Sequence, residues 1–206
     1  MQKINIVVYG DSNTYGYSPD GSRYNLRYGI VLNRLLGDFY QVFEEGVVGR
    51  TTIYNDEREG KKAVDTISND LGKYNKIDLL AVMLGTNDYK TKNARDLSDL
   101  KYGIKTLIEK IKELNNVKRI LLISPILLDK NIDLIDKEFD YNSYVLSLVA
   151  SQVYEELAKE NDLLFFDAKY VAHPGMDGEH FTKEGHINLG NTLANFIRKN
   201  LNVVIE

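Results

Sequence analysis

Ile4-Asn5-Ile6-Val7-Val8-Tyr9-Gly10-Asp11-Ser12-Asn13-Thr14 decides the architecture of this chain. The apolar, β-branched run from Ile4 to Tyr9 reads as a short strand buried on both faces, as parallel strands are. It stops at a glycine followed by Asp, Ser, Asn and Thr, residues that favour turns and helix caps. A strand that empties into a capping turn is the opening of a βα unit. Four more runs repeat the pattern: Val42 to Glu45, Leu79 to Leu84, Ile120 to Ser124 and Leu163 to Phe166. Between and after them apolar residues recur at helical spacing, in Tyr28 to Leu36, in Ala63, Val64, Ile67 and Leu71, and in Leu100, Ile104, Leu107, Ile108, Ile111 and Leu114. Two further stripes follow, Val145, Leu148, Val149, Val153 and Leu157, then Ile187, Leu189, Leu193, Phe196 and Ile197. Such stripes are the ordinary means of covering a sheet. Alternation of strand and helix implies right-handed crossovers and a three-layer α/β/α sandwich around a five-stranded parallel sheet, with strand order 2-1-3-4-5.

The 206 residues, 43% hydrophobic and 27% charged, fit a single domain spanning 1–206 that buries a full core. With no cysteine, a thiolate nucleophile and a Cys-ligated zinc are ruled out, and a reducing compartment fits. The polar-interrupted start, Met1 to Tyr9, is too short for a signal peptide, so a cytoplasmic protein is expected. No apolar run reaches the length of a membrane span. A net charge of −4 with scattered basic residues leaves no electrostatic footprint for nucleic acid. Neither membrane nor nucleic acid is therefore an expected partner, and no cofactor is implied. The charged connection from Leu127 to Asp140 fits a lid, a subunit contact or a plain surface loop.

In a parallel sheet all strand C-termini emerge at one edge, where ligands bind. Ser12, Gly49, Asn87 and the loop bearing His180 must meet there. Ser12 follows the first strand with its N–H near a helix N-terminus, where a developing anion is favoured; a helix-capping turn is the alternative. Gly49 lets a backbone N–H approach an oxyanion with no Cβ in the way, or simply allows a tight turn. Asn87 offers a neutral side-chain donor that does not titrate, its alternative being an Asx-turn. The only histidines are His173, His180 and His186. Asp177 precedes His180 by one turn, close enough to orient one ring nitrogen and leave the other to take the proton of Ser12. His173 and His186 are assigned structural roles. His180 and His186 lack the i, i+4 spacing of a helical metal pair, so no metal is expected. Asp11 and Asn13, flanking Ser12, and the apolar Ile126 and Met176 are the candidates for substrate contact, with Leu127, Leu128 and Val171 as further lining; core or loop packing is the alternative for each of these apolar residues.

Ser12, Gly49, Asn87 and His180, in that chain order, resemble the SGNH or GDSL-type hydrolase superfamily, with Asp177 as the triad acid. Glu44 to Thr52, Met83 to Asp88, Phe165 to Ala168 and Asp177 to Thr182 are similar to its arylesterase and acyltransferase (perhydrolase) branch. The resemblance covers nearly the whole chain and departs at Asn13, where the motif's name has leucine. It implies the SGNH hydrolase fold and a serine esterase acting on small esters. Ser12, Asp177 and His180 are then catalytic, and Ser12, Gly49 and Asn87 form the oxyanion hole. Some members of the branch form compact oligomers around narrow apolar acyl pockets, so a homo-oligomer is expected. The connection from Gly16 to Tyr28 is short for the branch. A carbohydrate O-deacetylase would use the same residues. A non-catalytic, flavodoxin-like binding module has the same architecture, but it has no need of Asp177 beside His180, and no glycine-rich phosphate motif follows a strand.

Overall fold

The computed structural model describes residues 3–55 and 62–201, so Met1 and Gln2 of the N-terminal stretch lie outside the described residues. Five parallel strands, β1 (Ile4–Gly10), β2 (Tyr40–Gly46), β3 (Leu79–Met83), β4 (Ile120–Ser124) and β5 (Leu164–Asp167), form one sheet in the order β2-β1-β3-β4-β5. This is the expected order. β1 pairs with both β2 and β3, Tyr9 facing Glu45 on one side and Val82 on the other. The strands differ from the sequence reading at their ends: β2 starts two residues earlier, at a Tyr40 that packs into the core.

Alternation along β1 sorts the layers, because successive side chains point to opposite faces. Ile6 and Val8 pack with Tyr28 and Leu32 of α2 (Tyr28–Leu36) and with Leu189, Leu193 and Ile197 of α7 (Lys183–Asn200). Val7 and Tyr9 pack on the other face with Ile67 and Leu71 of α3 (Ala63–Gly72) and Leu107 and Ile111 of α4 (Leu97–Lys112). The same face continues over Leu122 to Ile104 and Ile108 of α4 and Leu146, Val153 and Leu157 of α6 (Tyr141–Asn161). Each fully buried Leu or Ile of these layers contributes about 1.5–3 kcal/mol.

Caps set where the helices begin. The Asp140 carboxylate accepts from Ser143 N–H while the Ser143 hydroxyl oxygen accepts from Asp140 N–H, so α6 starts at Tyr141, ahead of its apolar stripe. Thr182 caps α7 by accepting from Gly185 N–H, which starts that helix three residues after His180. Three short turns absent from the sequence reading complete the chain: α1 (Ser12–Tyr15), a 3₁₀ turn over Asn87–Tyr89 and α5 (Ile132–Ile135). Among the described residues no helix is long and apolar enough to cross a membrane.

Candidate active site

The C-terminal ends of β1, β2 and β3 and the loop after β5 meet in one crevice of about 290 Å³, lined by Ser12, Gly49, Asn87, Asp177 and His180 among others. Ser12 is the first residue of α1, and its cap, Asp11, accepts from Asn13 N–H at 2.9 Å. Across the crevice the two oxygens of Asp177 divide their work. Oδ1 accepts from the backbone N–H of His180 at 3.0 Å and of Glu179 at 3.3 Å, closing a tight turn around Gly178, whose φ is 78°. Oδ2 lies 2.8 Å from His180 Nδ1, and His180 Nε2 lies 2.8 Å from Ser12 Oγ. A carboxylate only accepts, so Nδ1 carries the ring proton and Nε2 accepts from the serine hydroxyl. Carboxylate, imidazole and hydroxyl thus form one continuous hydrogen-bonded chain.

The loop carrying His180 is held from both sides by one residue. Asn13 Nδ2 donates to Glu179 C=O at 3.0 Å, and Asn13 Oδ1 accepts from Phe181 N–H at 2.9 Å. Tyr17 packs its ring on the imidazole with centroids 4.7 Å apart. From below, α5 and the turn leading into it support the Asp177 turn: Asp129 N–H donates to Gly178 C=O at 2.9 Å, and a Cβ at Gly178 would lie 2.7 Å from Ile132 Cδ1. The connection from Leu127 to Asp140 is therefore a wall of the crevice, to which Asp136 and Glu138 contribute.

The strand ends bearing Gly49 and Asn87 are tied to each other and to β1. Gly49 has φ 76°, open to glycine and strained for other residues. The next residue, Arg50, is buried, and its guanidinium donates to Gly10 C=O at 3.0 Å, to Glu45 C=O at 2.5 Å and to Asp70 at 2.8 Å, lying over the Tyr9 ring. Asn87 Nδ2 donates to Arg50 C=O at 3.2 Å. Asp88 accepts from Thr52 N–H at 2.9 Å and from the Thr52 hydroxyl at 2.5 Å. Tyr154 OH donates to Leu84 C=O beneath Gly85.

Burial dominates the electrostatics. It pushes the Asp11 carboxyl up to about 6 against the Asn13 N–H, His180 and Arg50, and it pushes Asp88 up to about 6 against its bonds from Thr52. For His180, burial favours the neutral ring, but the Asp177 hydrogen bond and the charges of Glu179, Asp177 and Asp11 outweigh it and raise the pKa above the ordinary 6.5. Asp177 is also disfavoured as an anion by burial, yet its bonds from His180 hold it below the usual carboxylate range. His186, fully buried, accepts from Tyr28 N–H at 3.3 Å and is pulled down to about 3 by burial, which keeps it neutral under Phe181.

Four of the substrate-contact expectations need correction. Asp11 and Asn13 are buried, Asp11 Oδ1 capping α1 and the Asn13 amide clamping the His180 loop. Ile126 packs into the core between the sheet and α7, and Met176 is 87% exposed, outside the crevice lining. The reason is loop path: an apolar residue after a strand turns to core, crevice or solvent according to the next few dihedrals. Conversely, Arg50, Asp88 and Glu179 escaped the sequence reading. Only Arg50 carries a signal, a cation directly after a strand-end glycine. Among the described residues no group of three His, Asp or Glu side chains converges to hold a metal ion.

The family model for the GDSL-like lipase/acylhydrolase family matches residues 8–187, which takes in the serine turn, both amide-bearing strand ends and the Asp177–His180 turn. The chain belongs to that family. The acylhydrolase is thus an SGNH-type serine ester hydrolase, as its fold and motif order led us to expect. Comparison with curated proteins gives no match. Among solved structures, this acylhydrolase is similar to the aryl esterase of M. smegmatis, with 28% identity and a TM-score of 0.83 over 95% of this chain and 99% of that one. It is also similar to a carbohydrate acetylesterase family member from Sinorhizobium meliloti, with 28% identity and a TM-score of 0.88 over 97% of this chain and 100% of the other. Membership of a hydrolase family replaces the binding-module alternative.

Proposed function

We propose that this acylhydrolase hydrolyses small carboxylic esters with short acyl chains through an acyl-enzyme on Ser12. The observation that carries the reading is the unbroken chain from Asp177 through His180 to Ser12, opening into the crevice that Gly49 and Asn87 also line. His180 Nε2 takes the Ser12 proton as Oγ attacks the ester carbonyl. The oxyanion is met by the N–H groups of Ser12 and Gly49 and the amide of Asn87, whose strand ends are already locked together. Collapse breaks the bond to the alcohol, which leaves with the proton from His180. Water then adds to the acyl-enzyme by the reverse sequence, and an alcohol in its place would make the enzyme an acyltransferase.

A short acyl group suits a crevice whose apolar side chains are Pro19 and Val48 and whose walls include Lys90, Asp136, Glu138 and Glu179. The same polarity supports a second reading, an O-deacetylase of acetylated sugars, and the similar protein from S. meliloti is a carbohydrate acetylesterase family member.

The test is hydrolysis of p-nitrophenyl acetate together with labelling by a fluorophosphonate, read by intact mass. One adduct per chain and turnover, both abolished in Ser12→Ala, is the expected result. Labelling that persists in Ser12→Ala, or no labelling of the wild type, refutes the proposal.

A further inference from the structure

Glu179 is a charged side chain of the crevice, next to the catalytic base in sequence, for which the mechanism has no use. Its backbone serves the His180 loop, the N–H donating to Asp177 and the C=O accepting from Asn13. Its carboxylate serves neither. That group lines the crevice with its side chain 13% exposed, and Oε1 stands 3.7 Å from His180 Nδ1, beyond hydrogen-bond reach and behind the Asp177 oxygen that already holds that nitrogen. Among the described residues the structure shows no donor to it. Burial pushes its pKa up to about 7, with His180 and Lys90 pulling it down and Asp136 and Asp177 pushing it further up. A carboxylate that is largely buried and has no protein donor among the described residues gains from a donor brought to it.

The surroundings define which donor. Asp136 and Glu138 stand on the same walls, and Lys90, a cation of the lining, lies 3.0 Å from Glu138. An anionic substituent would meet carboxylates of like charge, and a purely apolar one would cover them without satisfying them. A hydroxyl or a protonated amine would do neither.

We infer that Glu179 is a specificity-determining residue that accepts a hydrogen bond from an O–H or N–H donor on the ester, so that the enzyme prefers esters of polyhydroxylated or aminated compounds to donor-free ones. The inference rests on the esterase reading above and deepens it.

The experiment compares kcat/KM for three acetyl esters in the wild type, Glu179→Gln and Glu179→Leu. These are p-nitrophenyl acetate, which bears no donor, acetylated xylose, which bears hydroxyls, and 2-(dimethylamino)ethyl acetate, which bears a protonated amine. The readout is the ratio of each donor-bearing ester to p-nitrophenyl acetate. A charge-assisted hydrogen bond implies that this ratio falls about tenfold or more in Glu179→Leu. Glu179→Gln, near in shape and still an acceptor but uncharged, should lose less on the sugar ester than on the amine ester. A fall in the sugar arm alone, in the amine arm alone or in both supports the inference and names the source of the donor. Ratios within twofold of wild type in both variants, or a wild type that hydrolyses p-nitrophenyl acetate and neither donor-bearing ester, would overturn it while leaving the esterase standing. Absence of all turnover with no labelling of Ser12 would instead overturn the esterase reading, and this inference with it.

Discussion

Asp177→Asn separates a catalytic pairing from a merely structural one, because its two oxygens have distinct partners. The amide that replaces the carboxylate can keep its oxygen on the His180 and Glu179 N–H groups, at 3.0 and 3.3 Å, and so preserve the turn. Its NH₂ must then occupy the place of Oδ2, 2.8 Å from His180 Nδ1. Two donors cannot face each other there, so Nδ1 becomes the acceptor and Nε2 carries the proton. An Nε2–H pointing at Ser12 cannot take the serine proton. Wrong-tautomer replacement in a serine-protease triad costs about 10⁴ in kcat, about 5 kcal/mol of barrier, and a loss of that order is expected here. Glu179 is beyond hydrogen-bond reach of Nδ1 and does not restore the tautomer. A second signature follows from the charge. The Asp177 bond and charge raise the His180 pKa while burial lowers it, so removing the carboxylate moves the acid limb of kcat/KM to lower pH. Initial rates of p-nitrophenyl acetate hydrolysis from pH 5 to 9 measure both effects. A loss smaller than tenfold, or an acid limb that stays in place or rises, would refute the assignment of Asp177 as the residue that orients His180.

In the wild type the net raising of the His180 pKa keeps the base protonated to higher pH than a free imidazole, so kcat/KM should fall through a midpoint above 6.5 as the medium is acidified; a pH-rate series finding it below 6.5 contradicts the balance of burial against Asp177. Asn87→Ala removes a proposed oxyanion donor and should lower kcat by on the order of 10² to 10³ with little change in KM, read from steady-state kinetics. Arg50→Met leaves Asp70 without its cation and the carbonyls of Gly10 and Glu45 without their donor. Because Asp70 is 26% exposed and partly solvated, the cost should sit near the lower end for a broken buried pair, about 3 kcal/mol, measured by urea denaturation.

The sheet was legible because doubly buried parallel strands are nearly continuous apolar runs, and their alternation with helical stripes leaves few topologies. Ser12, Gly49, Asn87 and His180 were legible because each follows such a run, and a parallel sheet collects its strand ends at one edge. What stayed hidden depends on partners remote in sequence. A charged residue such as Arg50 is ordinarily taken for surface, and its burial requires Asp70, Tyr9 and two strand carbonyls that sequence alone does not bring together. The turns at Ser12–Tyr15, Asn87–Tyr89 and Ile132–Ile135 are too short for a periodic signal, and helices of that length exist only where tertiary packing holds them. Asn13, a candidate for substrate contact on its place beside Ser12, instead uses its amide to grip the chain on both sides of His180.

That grip and the Arg50 network bear on the same physical requirement. Electrostatic stabilisation of an oxyanion is effective when the donors need not reorganise as charge develops. Here the residue after Gly49 sends its guanidinium back to the carbonyl at the end of β1 and offers its own carbonyl to Asn87, so displacement of any one strand end strains the other two. The base enters from a separate loop, yet Asn13, one residue from Ser12, ties that loop to the nucleophile through two hydrogen bonds rather than through packing alone. A leucine there would fill space without fixing the imidazole against Ser12, so in this chain the polar residue does locally what a larger apolar contact would do by area.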